Sequence, residues 1–195
     1  MPLIKIILDT NSYLRLAKSL HPLLNRTFGK SNYCLFIIKD FQKEFNKKPI
    51  LKSKFYWVNT PEFIENRKKP IKLSPAEQKQ FDLAFEIVLD TAKDENLLDK
   101  LSLIDIKFIT YSHILKSPLV TDDTDMMKLA KEFEIEIFNT LQLLKLMLDN
   151  NHITMEKIRE IIQYLNYEDD LPKSKKELKK EYKTLFNEDL NVVFK

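Results

Sequence analysis

The chain has 195 residues, 32 Lys and Arg against 29 Asp and Glu, a formal charge of +3, 44% hydrophobic residues and one cysteine, Cys34. That length builds one sizeable core, and no apolar run approaches the roughly 18 residues of a membrane span. A lone cysteine excludes an internal disulfide and a Cys-based zinc site, and a single glycine, Gly29, excludes every glycine-rich phosphate loop.

Residues 1–5 show no basic region followed by a long apolar stretch, so no secretory signal is expected and a cytoplasmic setting fits. Residues 3–8 form a short Ile-rich run that ends at Asp9-Thr10-Asn11, the pattern of a buried parallel strand with a polar loop at its carboxyl end. A helix is expected over 12–24, a strand over 34–38, and a helix over 40–46 with Phe41 and Phe45 on one face and Glu44 on another. Residues 46–73 carry three prolines and dense lysines and read as an irregular basic insertion.

Ser74-Pro75-Ala76-Glu77 and Ser102-Leu103-Ile104-Asp105 are box-like helix starts. Pro118 ends the second helix, and residues 119–121 make a very short strand that runs into Asp122-Asp123-Thr124-Asp125. A helix over 126–133, a strand over 135–138, helices over 141–148 and 155–165, and a capping box at Ser174 and Glu177 complete the chain. Strands alternating with helices predict an α/β fold, a parallel sheet of four to five strands covered by helices on both faces.

Ligand sites in such sheets lie beyond the carboxyl ends of the strands. Asp9 and Asp123 follow strands, Asp105 opens a helix, Glu44 lies on the helix after the second strand, and Asp125 follows Asp123 by two residues. Two carboxylates about 4 Å apart repel by roughly 4 kcal/mol at an effective dielectric near 20, so such a cluster calls for a cation. All-oxygen ligands suit Mg²⁺ or Mn²⁺. Taken singly, each acid has a plainer reading as a helix cap or a surface charge. Charge is also uneven: residues 39–72 hold ten Lys and Arg against four acids, and residues 121–138 hold six acids against two Lys. Such a basic segment beside an acidic one suits a metal site acting on a polyanion.

Four stretches in order resemble the PIN-domain nucleases: Leu8-Asp9-Thr10-Asn11-Ser12, Phe41-Gln42-Lys43-Glu44-Phe45, Leu101-Ser102-Leu103-Ile104-Asp105, and Thr121-Asp122-Asp123-Thr124-Asp125. The resemblance spans roughly residues 3–147. It implies a Rossmann-like PIN fold over 1–148, with 46–73 inserted and 149–195 as a helical C-terminal extension. It implies a metal-dependent endoribonuclease in which Asp9, Glu44, Asp105 and Asp123 form the site and Asp125 is a fifth ligand. In this reading Thr121 shapes the site and Asn11 supports Asp9 by hydrogen bonding. Many small members are VapC-like toxins, so an antitoxin partner and a homodimer are expected. The long stretch between Glu44 and Asp105 and the helices after 148 depart from that pattern.

Substrate contacts fall to Lys47, Lys48, Lys52 and Lys54 for phosphates, and to Tyr56 or Trp57 for base stacking. Lys68 and Lys69 extend this basic set. The plainer alternative is that the aromatics pin the insertion to the core. His21, His113 and His152 are read as structural or surface residues. Two rivals stand beside the nuclease. One is a catalytically silent PIN-like interaction module. The other is a metal-dependent phosphatase, disfavoured because Asn11 stands where a second acid belongs and because Glu44 has no role there.

Overall fold

The computed structural model describes residues 2–190. A five-stranded sheet runs through it in the order β2 (Thr27–Phe28), β3 (Tyr33–Phe36), β1 (Ile4–Leu8), β4 (Leu119–Val120), β5 (Ile137–Phe138). All pairings are parallel except β2 with β3. The alternating α/β order therefore produced the expected Rossmann-like sheet, with one antiparallel edge hairpin that the sequence pattern does not announce. Gly29 makes that hairpin possible: its φ is +69°, and a Cβ there would stand 2.2 Å from Asn150 Oδ1.

Strand β1 is central and its side chains alternate between two cores. Ile6 and Leu8 enter one buried cluster and Ile7 enters the other. The second cluster is roofed by α5 (Pro75–Asp94), α6 (Leu103–Leu115) and α7 (Thr124–Glu132), which bury Val88, Ile106, Phe108 and Leu129. The first is covered by α1 (Thr10–Ala17), α8 (Thr140–Asp149), α9 (Met155–Tyr167) and α10 (Lys175–Phe186). Ile158, Ile161, Ile162, Leu178 and Tyr182 share that core with Ile6 and Leu8, so α9 and α10 cover one sheet face. Residues 191–195 of the expected extension lie outside the described residues.

Residues 46–73 are ordered as short helices rather than as an irregular loop. They follow α2 (Phe41–Lys47) as α3 (Pro49–Lys54), a 3-10 turn (Tyr56–Asn59) and α4 (Pro61–Arg67). The reason is the placement of the prolines: Pro49 and Pro61 open helices, where a missing N–H costs nothing. Phe55, Trp57, Val58 and Phe63 then pin the segment to the first core. Capping boxes at Ser74 and Ser102 start α5 and α6 as their sequences require.

Candidate metal centre

Strands β1 and β4 lie side by side, with Leu8 level with Val120, so the chain leaves the sheet at the same place after each of them. Asp9 follows β1 and caps α1, accepting a hydrogen bond from the Ser12 N–H at 2.6 Å. Its other oxygen accepts from the Thr121 hydroxyl, just past β4, at 2.7 Å. The same hydroxyl oxygen accepts from the Asp123 N–H at 3.1 Å. Asp123 in turn caps α7, accepting from the backbone of Asp125 and Met126 at 2.8 and 3.0 Å. One threonine thereby ties the Asp9 carboxylate to the backbone of Asp123 across two neighbouring strand ends.

Glu44 enters from α2 and is buried. The Thr10 hydroxyl, one residue past Asp9, donates to Glu44 Oε2, and the Lys48 ammonium lies 2.6 Å from Oε1. Asp105 stands in the first turn of α6 and closes the capping box with Ser102, accepting from its N–H at 2.7 Å and its hydroxyl at 2.8 Å. Burial raises the Asp105 carboxyl above the usual carboxylate range, the Ser102 bonds oppose this, and the charges of Glu44 and Asp123 add to it. Those two acids are thus near enough to Asp105 for their charge to be felt. Burial likewise lifts Asp9, to about 6, against the hydrogen bonds from Thr121 and Ser12 and with a contribution from the Asp122 charge.

Asp9, Glu44, Asp105 and Asp123 therefore gather at the carboxyl end of the sheet from four separate elements. The Asp125 carboxylate stands outside that linkage, paired with Lys100 at 3.2 Å, and only its backbone N–H reaches Asp123. Among the described residues, no three His, Cys, Asp or Glu side chains are placed so that together they could hold a metal ion as they stand. Each of the four carboxylates is instead held by protein donors. The donor set itself, four carboxylates with the charges of Glu44 and Asp123 acting on Asp105, is of the all-oxygen kind that suits Mg²⁺ or Mn²⁺.

Two expected roles need correction. Asn11 is exposed and makes none of the bonds to Asp9; Ser12 and Thr121 do that work. Trp57 is 5% exposed and packs on Phe55 and Phe63, so it cannot stack on a base, whereas Tyr56 is 71% exposed. Lys54 pairs with Asp170 at 3.2 Å, while Lys47 and Lys52 are exposed. The histidines lie on rings elsewhere: His21 on Phe63, His113 on Phe133 and His152 on Phe28.

Several structural supports have no counterpart among the sequence expectations. Thr10 holds Glu44. Asp122, beside the site, accepts from the Thr140 N–H at 3.1 Å, from the Thr140 hydroxyl, and from Arg15 at 2.9 Å. Arg15 also lies 3.6 Å from Asp170, linking α1 to the loop between α9 and α10. Asp40, at the N-terminus of α2, is buried and pairs with Lys107 at 2.9 Å. Asp40 and Asp122 carried a signal, since both come after strands, but nothing local distinguishes a structural acid from a ligand. Compared with known proteins, the chain matches no family model, no curated protein and no solved structure.

Proposed function

We propose that this protein is a Mg²⁺- or Mn²⁺-dependent nuclease of the PIN type that hydrolyses phosphodiester bonds in RNA, acting as the toxin of a toxin–antitoxin pair. The observation that carries this reading is the convergence of Asp9, Glu44, Asp105 and Asp123 on one sheet end, linked through Thr121, Thr10 and the charge on Asp105. The word RNA and the toxin role rest on the four motifs that resemble PIN domains.

The four carboxylates are the groups that would hold the metal. When bound, a divalent ion lowers the pKa of a water and offsets charge on the scissile phosphate. The chain's own contribution is placement. Ser12 and Thr121 hold the two oxygens of Asp9. The helix starts of α6 and α7 present Asp105 and Asp123. Lys47, Lys52 and Tyr56, exposed on α2, α3 and the turn after them, are the groups that would meet the polyanion.

One observation favours a second reading, the catalytically silent interaction module: each acid already has protein donors, and Glu44 already has a cation. A cleavage assay on single-stranded RNA separates the two. The nuclease reading expects cleavage that needs Mg²⁺ or Mn²⁺, is abolished by chelator, and falls at least about a hundredfold in Asp9→Asn and Asp123→Asn. Chelator-resistant cleavage, or variants as active as the parent, would overturn it. An absence of cleavage on any nucleic acid would favour the interaction module.

A further inference from the structure

We propose that Lys48 is the resident counter-ion of the acidic site, an ammonium that holds Glu44 while no divalent ion is bound and leaves it when one binds. This rests on the reading of the site as a metal centre.

Each Glu44 oxygen already has a donor. Oε2 takes the Thr10 hydroxyl and Oε1 takes the Lys48 ammonium at 2.6 Å. A divalent ion that takes Glu44 as a ligand would stand within a few Å of the Lys48 ammonium, and the repulsion between the two cations favours the departure of the ammonium. Thr10 is buried in the first turn of α1, one residue from Asp9, and has no room to withdraw. Lys48 does. Its side chain is 54% exposed while that of Glu44 is 6% exposed, so the ammonium approaches from solvent and can return to it.

The backbone supports that division of labour. Lys48 is the extended residue between α2 and α3, and Pro49 opens the next helix, so its Cα is held by two helices while the stem is free. Among the described residues, Asp9, Asp105 and Asp123 have no ion pair, and Glu44 is the one of the four acids that carries a cation. Lys100 and Lys107 are occupied elsewhere, on Asp125 and Asp40. A displaced Lys48 ammonium stays at the mouth of the site on a flexible stem, where a substrate phosphate arrives. Metal loading would then free the cation that the phosphate needs, and the order of binding would be metal first.

The test titrates the full-length protein with Mn²⁺ at low salt, reading free Mn²⁺ by electron paramagnetic resonance. It compares the parent, Lys48→Met, and Lys131→Met, an exposed lysine on α7 that changes net charge equally. Removing the half-exposed Lys48 cation should tighten Mn²⁺ binding about twofold to fivefold in Lys48→Met and leave Lys131→Met unchanged. Saturating Mn²⁺ should also raise the melting temperature more in Lys48→Met than in the parent. Parent binding that Lys48→Met leaves equal or weakens, or an equal gain in Lys131→Met, overturns the counter-ion role alone. If neither the parent nor Lys48→Met binds Mn²⁺, the metal reading falls together with it.

Discussion

The Thr121 hydroxyl donates to Asp9 Oδ2 at 2.7 Å across 112 residues of chain, so the exit of β4 sets the rotamer of the acid at the exit of β1. Replacing Thr121 with Val keeps the shape and removes the donor, leaving a buried carboxylate with one partner fewer. We expect a loss of about 2 kcal/mol in urea unfolding and at least a tenfold loss of cleavage, with Thr121→Ser close to the parent in both. A fully active Thr121→Val would show that the contact is packing alone.

The Asp9 carboxyl gives a pH signature. Its folded value, about 6, lies above the ordinary 3.8, so the folded state holds the proton more tightly than the unfolded chain. The stabilisation is present in full below about pH 4 and is lost as pH rises through about 6. Asp9→Asn removes this dependence. At pH 7.5 without metal the variant should exceed the parent in stability by up to about 3 kcal/mol, and the gap should close near pH 4. Adding Mg²⁺ at pH 7.5 should stabilise the parent and not the variant. Parallel stability curves for the two proteins would contradict the buried, protonatable Asp9.

Arg15 and Asp122 form a partly buried pair, 2.9 Å apart with side chains 15% and 3% exposed. Arg15→Met leaves the Asp122 charge to the Thr140 donors, and we expect a loss of about 2 to 3 kcal/mol. Arg15→Met with Asp122→Asn should regain most of it, because no charge is then buried. Thermal unfolding of the two variants settles the sign: a double variant no more stable than Arg15→Met would mean that the ion pair is not the source of the loss.

Adjacent aromatics should behave oppositely. Trp57→Ala empties a core position and should cost about 3 to 5 kcal/mol. Tyr56→Ala should leave stability within about 0.5 kcal/mol and weaken RNA binding if its ring stacks on a base. Filter binding of a metal-free complex at several salt concentrations measures the second effect.

The alternation of apolar runs with capping boxes was enough to place β1, β3, β4 and β5 and most helices, because strand period and helix starts are written in consecutive residues. Ser74, Ser102 and Ser174 marked helix starts for that reason. The hairpin strand β2 is two residues long and carries no period to read. The helices over 49–67 were missed because proline at a first helical position and proline in a loop look alike until the neighbours are known. The site divides in the same way. Asp9 and Asp123 were readable as acids at strand exits. Thr10 on Glu44 and Thr121 on Asp9 join residues 34 and 112 apart, and the Ser12 N–H that holds Asp9 is a backbone group that no side-chain pattern announces.

The packing of Ile158, Ile162, Leu178 and Tyr182 against Ile6 and Leu8 has a practical consequence for anyone dissecting this protein. A fragment cut at residue 148 would retain all four acids on paper and would bare the part of the first core that α9 and α10 cover. Such a fragment would come out of expression as aggregate, and its silence in an assay would say nothing about the chemistry. Point substitutions in the full-length chain are the sound route to the candidate site.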